Sequence, residues 1–125
     1  MPYLDQQTVE LLIRAGAAGC FIEDQKAPKR CGFVKGKQLI SVEEAVGKYR
    51  AVCELRDELD PDFIIMARTD ARGAVGGGVE ETIRRARAYR DAGVDVIYAE
   101  ALQSREEVRA VRESVPDILF RATEG

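Results

Sequence analysis

Phe63-Ile64-Ile65-Met66-Ala67-Arg68-Thr69-Asp70 passes from an unbroken apolar run straight into an arginine, a threonine and an aspartate. A short, continuous apolar run of this kind predicts a strand buried on both faces, the sort found in parallel sheets. The same motif recurs along the chain. Cys20-Phe21-Ile22 leads into Glu23-Asp24, Val94 to Ala99 leads into Glu100, and Ile118-Leu119-Phe120 leads towards Thr123-Glu124. Each run therefore predicts a strand, and each strand is followed by polar residues.

Helical patterns separate these runs. Val9, Leu12 and Ile13 recur at helical spacing and stop before Gly16 and Gly19. Ser41-Val42-Glu43-Glu44 fits a capping box, and Val42, Ala45, Val46, Tyr49, Cys53 and Leu59 follow on one face. Gly76 to Gly78 read as a flexible entry to a third helix, with Val79, Ile83, Ala86 and Tyr89 on its apolar face and Gly93 at its end. Ser104-Arg105-Glu106-Glu107 repeats the capping box ahead of Val108, Val111 and Val115. Helix and strand alternate throughout, which predicts an α/β chain with a parallel sheet covered by helices. The polar residues after the strands then gather at the carboxyl end of the sheet, where α/β folds and (β/α)8 barrels build their active sites.

Composition narrows the chemistry. The chain has 125 residues, a formal charge of -3, 46% hydrophobic and 33% charged residues, and no histidine. These values suit one ordinary globular domain. The lack of histidine excludes Ser-His-Asp and Cys-His nucleophile pairs and any His-ligated zinc site. Cys20, Cys31 and Cys53 are odd in number and irregularly spaced, which argues against a disulfide framework and for a reducing compartment. No apolar run approaches the roughly 18 residues of a membrane span, so we expect a cytoplasmic protein with no membrane partner. Basic and acidic residues are interleaved, so no nucleic-acid partner is expected either.

Two constellations carry possible chemistry. Glu23, Asp24, Arg68, Asp70 and Glu100 could converge on an acid-lined pocket with one fixed cation, suited to a hard metal ion and a substrate carboxylate. Each is equally explicable as a strand end meeting water. In the segment from Asp24 to Ile40, too polar and too punctuated for a regular element, Cys31 lies beside Lys29 and Arg30, whose charge would lower a thiol pKa. Cys31 is thus either a catalytic thiol or an exposed cysteine without a role. Cys20 and Cys53 read as small core residues. Gly76-Gly77-Gly78 lacks the Gly-Lys-Ser or Gly-Lys-Thr ending of a phosphate loop. Arg84, Arg85, Arg87 and Arg90 read as a solvated helix face paired locally with Glu80, Glu81 and Asp91.

Taken together, AGAAGCFIEDQ (15–25), PKRCGF (28–33), IMARTDAR (65–72) and AGVDVIYAEAL (92–102) resemble consecutive motifs of the isocitrate lyase and phosphoenolpyruvate mutase superfamily, nearest to its methylisocitrate lyases and related 2-hydroxy-acid lyases. The resemblance runs from Thr8 to Gly125. It implies a (β/α)8 barrel of which this chain supplies about half, a Mg2+ (or Mn2+) cofactor, a small carboxylic-acid substrate, and cleavage of a C–C bond through an enolate or aci-carboxylate; the two unpaired sheet edges of a half barrel add the expectation of a homo-oligomer. Position by position it implies Cys31 as proton donor, Lys29 near the reacting centre, and Gly32 as a substrate contact. It also implies Glu23 as support for the metal through water, Arg68 as the grip on a substrate carboxylate, and Glu100 and Thr123 as substrate-binding residues.

The chain departs from that pattern in three places. Phe33 stands where the lyases carry His, and Arg121 where they carry Asn. The Asp-x-Asp-x-Gly-Tyr-Gly motif that holds most of the metal ligands has no counterpart in Met1-Pro2-Tyr3-Leu4-Asp5. A barrel ordinarily needs about 250 residues, so the chain is expected to be a single partial domain, residues 1–125, within a longer polypeptide.

Overall fold

A computed structural model describes residues 2–26 and 36–124, with the backbone alone for residues 2–4 and 124. Lys29, Cys31, Gly32 and Phe33 lie outside the described residues. Four helix–strand units follow in order: α1 (Pro2–Arg14), β1 (Gly19–Glu23), α2 (Val42–Leu59), β2 (Ile64–Thr69), α3 (Val79–Asp91), β3 (Val96–Leu102), α4 (Arg105–Ser114) and β4 (Leu119–Glu124). A 3-10 turn over Ala71–Gly73 follows β2. All strand pairs are parallel and the spatial order is β1-β2-β3-β4. This is an α/β fold matching four consecutive units of a TIM-type (β/α)8 barrel.

Strand alternation sorts the side chains. Ile65, Ala67, Ile97 and Ala99 are fully buried on the helix side, against Tyr49, Val52, Cys53, Ala86, Tyr89 and Val111. Burying one such isoleucine contributes about 1.5–3 kcal/mol. The opposite face carries Phe21, Ile64 and Leu119, all exposed, as a barrel-lining face does where no further strand covers it.

Capping chemistry sets the helix starts. Ser41 Oγ accepts the Glu44 N–H at 3.1 Å, and Ser104 Oγ accepts the Glu107 N–H at 3.2 Å. The second box is not closed reciprocally: Glu107 Oε1 accepts the Gln103 N–H at 2.7 Å and its carboxylate takes Arg72 Nε and Nη2 at 2.9 and 3.0 Å. That bidentate pair ties α4 to the turn after β2.

The structure corrects three sequence expectations. The glycine run is not open throughout: a Cβ on Gly77 would lie 1.9 Å from the Ala71 carbonyl oxygen, to which the Gly78 N–H donates at 2.9 Å, while Gly76 and Gly78 have open space but φ of 71° and 134°. Arg85 is buried rather than solvated, because its guanidinium turns inward to Asp24. β3 starts two residues late and runs on to Leu102. Asp95 is held ahead of the strand by the Ile65 N–H and by Arg56, and a bulge between Ala99 and Leu102, with Ala101 at φ 61°, continues the pairing past Glu100.

Candidate active site

Sheet register assembles the site. Glu23 is aligned with Arg68, Arg68 with Tyr98, and Tyr98 with Arg121, so one row of side chains crosses all four strands on the open face. Two residues earlier on each strand, Phe21, Met66, Val96 and Leu119 form an apolar row. The face therefore turns from apolar to charged at the carboxyl end of the strands.

Arg68 is the centre of the charged row. Its Nη2 donates to Asp70 Oδ1 at 3.0 Å, and its Nε lies 3.5 Å from Glu23 Oε2 and 3.7 Å from Glu100 Oε2. Its guanidinium also sits 5.8 and 5.6 Å from the ring centres of Phe21 and Tyr98, within cation–π range. Burial works against its charge, but Asp70, Glu100 and Glu23 outweigh burial and raise its pKa. Among the described residues, Arg68 Nε, Glu100 Oε2 and Asp70 Oδ2 are buried without a hydrogen-bond partner. Native proteins seldom leave such groups unsatisfied, so these atoms mark where the polar atoms of a ligand would complete the bonding.

On β3 and β4, burial and then the adjacent Glu100 carboxylate raise the Tyr98 pKa. Arg121 lies 4.4 Å from the Tyr98 ring centre. Thr123 Oγ1 accepts the Ala101 N–H at 3.3 Å and so pins the bulge that carries Glu100.

Asp24 does not line the pocket. It is fully buried behind the sheet, where Oδ1 accepts the Asp70 N–H at 3.0 Å and Oδ2 accepts Tyr89 Oη at 2.7 Å and Arg85 Nη1 at 3.2 Å. Burial first, then the Asp24 charge, pushes the Tyr89 hydroxyl well above its usual range. Arg85 Nη2 donates onward to the Ile40 carbonyl at 2.8 Å, and Tyr49 Oη to the Ile22 carbonyl at 2.6 Å. These residues join α2 and α3 to the ends of β1 and β2.

Two contributions escape sequence reading. Asp5 and Thr8 of α1 line a cleft with Phe21, Ile22, Glu23 and Arg68; α1 has an apolar face, but periodicity does not tell which polar residues border a cleft. Lys37 is fully buried, with Nζ 3.5 Å from Asp70 Oδ1. In the sequence it is one cation among several and nothing distinguishes it.

The Mg2+ or Mn2+ that the resemblance implies needs about six oxygen ligands, several from carboxylates. Among the described residues no group of three His, Cys, Asp or Glu side chains is disposed to hold a metal ion. The cleft offers Asp5 and Glu23, so the described residues do not fit the metal by themselves.

Comparison with known proteins agrees with the geometry. Residues 4–123 match the phosphoenolpyruvate phosphomutase family. A probable 2-methylisocitrate lyase of Corynebacterium glutamicum is 44% identical over 121 residues, covering 97% of this chain and 38% of that protein. The solved structure of an oxaloacetate acetylhydrolase bound to 3,3-difluorooxalacetate superposes with a TM-score of 0.90 at 38% identity, over 97% of this chain and 40% of that one. A phosphonopyruvate hydrolase solved with oxalate and Mg2+ superposes with a TM-score of 0.79 at 29% identity, over 98% of this chain and 41% of that one. The chain thus spans about two fifths of the length of these proteins.

Proposed function

This chain belongs to the phosphoenolpyruvate mutase/isocitrate lyase superfamily, and from that premise we propose that it forms the carboxylate-gripping part of a longer enzyme that cleaves a C–C bond in a 2-hydroxy di- or tricarboxylic acid of the methylisocitrate, isocitrate or dimethylmalate kind. The observation that carries this reading is Arg68, a guanidinium at the strand ends flanked by three carboxylates and by polar atoms that have no hydrogen-bond partner among the described residues. Its planar fork can take a substrate carboxylate in a bidentate pair.

In such a cleavage the 2-hydroxyl loses its proton, the carbonyl of a 2-oxo acid forms, and the adjacent C–C bond breaks. The electron pair stays on the carbon alpha to a carboxylate, and that carbon is then protonated. Arg68 holds the carboxylate, and Glu100 and Thr123 bound the reacting end. We assign Cys31 as the donor of the closing proton, with Lys29 beside it and Gly32 against the substrate, on the resemblance of PKRCGF. Glu23 is the one residue of this set assigned to a divalent metal, through water. Because the described residues do not complete that metal's ligand set, no step is routed through it. We also read the working unit as an oligomer in the cytoplasm.

The likeness to an oxaloacetate acetylhydrolase supports a second reading, hydrolysis of the C–C bond of oxaloacetate; P–C bond chemistry on a phosphonate is a third, on the likeness to a phosphonopyruvate hydrolase. A panel of methylisocitrate, dimethylmalate, oxaloacetate and phosphonopyruvate, assayed on the longest natural polypeptide carrying this sequence, separates them. Release of a 2-oxo acid from the first two alone supports the lyase. Acetate and oxalate from oxaloacetate support the hydrolase, and turnover of none supports a catalytically incomplete chain.

A further inference from the structure

Arg68 stands among Glu23, Asp70 and Glu100, one guanidinium against three carboxylates. An anionic substrate approaching that set would meet a net negative field, weakly screened because Arg68, Asp70 and Glu100 are all largely buried. A second cation beside these carboxylates would favour the reception of a substrate carboxylate by Arg68.

Lys37 is placed to do so. Its ammonium is fully buried, and a buried cation is costly unless the fold retains it by pairing. It shares Asp70 Oδ1 with Arg68 Nη2, at 3.5 and 3.0 Å. The turn after β2 is built around its side chain: a Cβ on Gly73 would lie 3.3 Å from Lys37 Cε and 3.4 Å from Nζ, and the Val75 N–H donates to the Lys37 carbonyl at 3.0 Å. Asp70 itself is fixed from behind, through its N–H on Asp24.

We propose that Lys37 is a positioning residue for substrate recognition: by taking up the charge of Asp70 on the oxygen that Arg68 also uses, it leaves the Arg68 fork aimed and electrostatically free for a substrate carboxylate. This rests on the reading of Arg68 as the carboxylate grip. Lys37 needs no contact with substrate for this role.

Two readouts on the same protein keep the inference distinct from that reading. The protein used is the longest natural polypeptide carrying this sequence; its Arg68 side-chain Nε–H resonance, followed by 15N NMR, requires no ligand, and titration with oxalate in the presence of Mg2+, once Mg2+ uptake is established, reports recognition. In Lys37→Met, and in Lys37→Gln should the first variant fold poorly, the Arg68 resonance moves and oxalate binds about tenfold more weakly. Lys37→Arg, which keeps the charge, restores most of the affinity. An Arg68 resonance unmoved in a folded Lys37→Met or Lys37→Gln protein overturns the inference whatever oxalate does. So does a moved resonance with unchanged oxalate affinity, or an equal loss of affinity in Lys37→Arg. A wild-type protein that takes up no oxalate overturns the carboxylate-grip reading instead, and the resonance then decides the positioning claim alone.

Discussion

Glu23 and Arg68 are register partners on adjacent parallel strands, and Glu23 Oε2 lies 3.5 Å from Arg68 Nε. The contact is set by the sheet: a slip of one residue in β1 would turn Glu23 towards the helices and bring Asp24 to the open face. Charge placement on this face is therefore a consequence of strand pairing, and the site can be tested through the elements that fix it.

Asp24 is the buried hub linking α3 to the end of β2. Asp24→Ala would take the acceptor from the Asp70 N–H, the Tyr89 hydroxyl and Arg85 Nη1 at once, leaving the almost wholly buried Arg85 guanidinium only Glu81 as a carboxylate among the described residues, and we expect a loss of about 3–5 kcal/mol in urea unfolding. Tyr89→Phe removes the 2.7 Å donor to Asp24 and the acceptor of Arg85 Nη1 at 3.1 Å, while Arg85 keeps Asp24 itself, and should cost about 2 kcal/mol. Equal, small losses in both variants would contradict the hub.

Burial raises the Cys53 thiol to about 11 and raises Cys20 above its usual value as well. Both thiols stay protonated at neutral pH and react poorly. Iodoacetamide at pH 7.5 under native conditions should label Cys31, whose sequence neighbours Lys29 and Arg30 favour a thiolate. Peptide mapping that finds Cys53 labelled first would refute this assignment.

Acid should weaken the fold partly through two helix carboxylates. A hydrogen bond from Arg72 lowers the Glu107 pKa, and hydrogen bonds from Arg84 and then Arg85 lower that of Glu81. Both titrate lower folded than unfolded, so their stabilisation is present above the unfolded carboxyl value of about 4.3 and is lost as pH falls through the lowered folded values. Glu107→Gln should flatten the dependence of stability on pH below about 4.3. An unchanged slope in that variant would remove Glu107 from the account.

The fold was legible because every strand is an apolar run and every helix has an apolar face. Register followed less directly: no pattern in Val94 to Glu100 announces the bulge at Ala101 that carries β3 past Glu100. Among charged residues, type alone does not tell which face a side chain takes. Glu23 and Asp24 are adjacent yet lie on opposite faces of the sheet, and Arg84 and Arg85 are adjacent yet one is solvated and the other buried. Lys37 was invisible for the same reason, since its partner Asp70 becomes its neighbour only through the turn after β2.

Arg68 as the carboxylate grip of a C–C lyase is the claim on which the rest depends. The measurement that tests it most directly is kcat/KM for release of the 2-oxo acid from methylisocitrate and dimethylmalate, wild type against Arg68→Gln, in the longest natural polypeptide carrying this sequence. The account predicts measurable wild-type turnover and a fall of about a hundredfold or more in the variant, because a bidentate charged pair is lost. A variant within about threefold of wild type would contradict it, since a difference that small leaves no room for a bidentate charged pair.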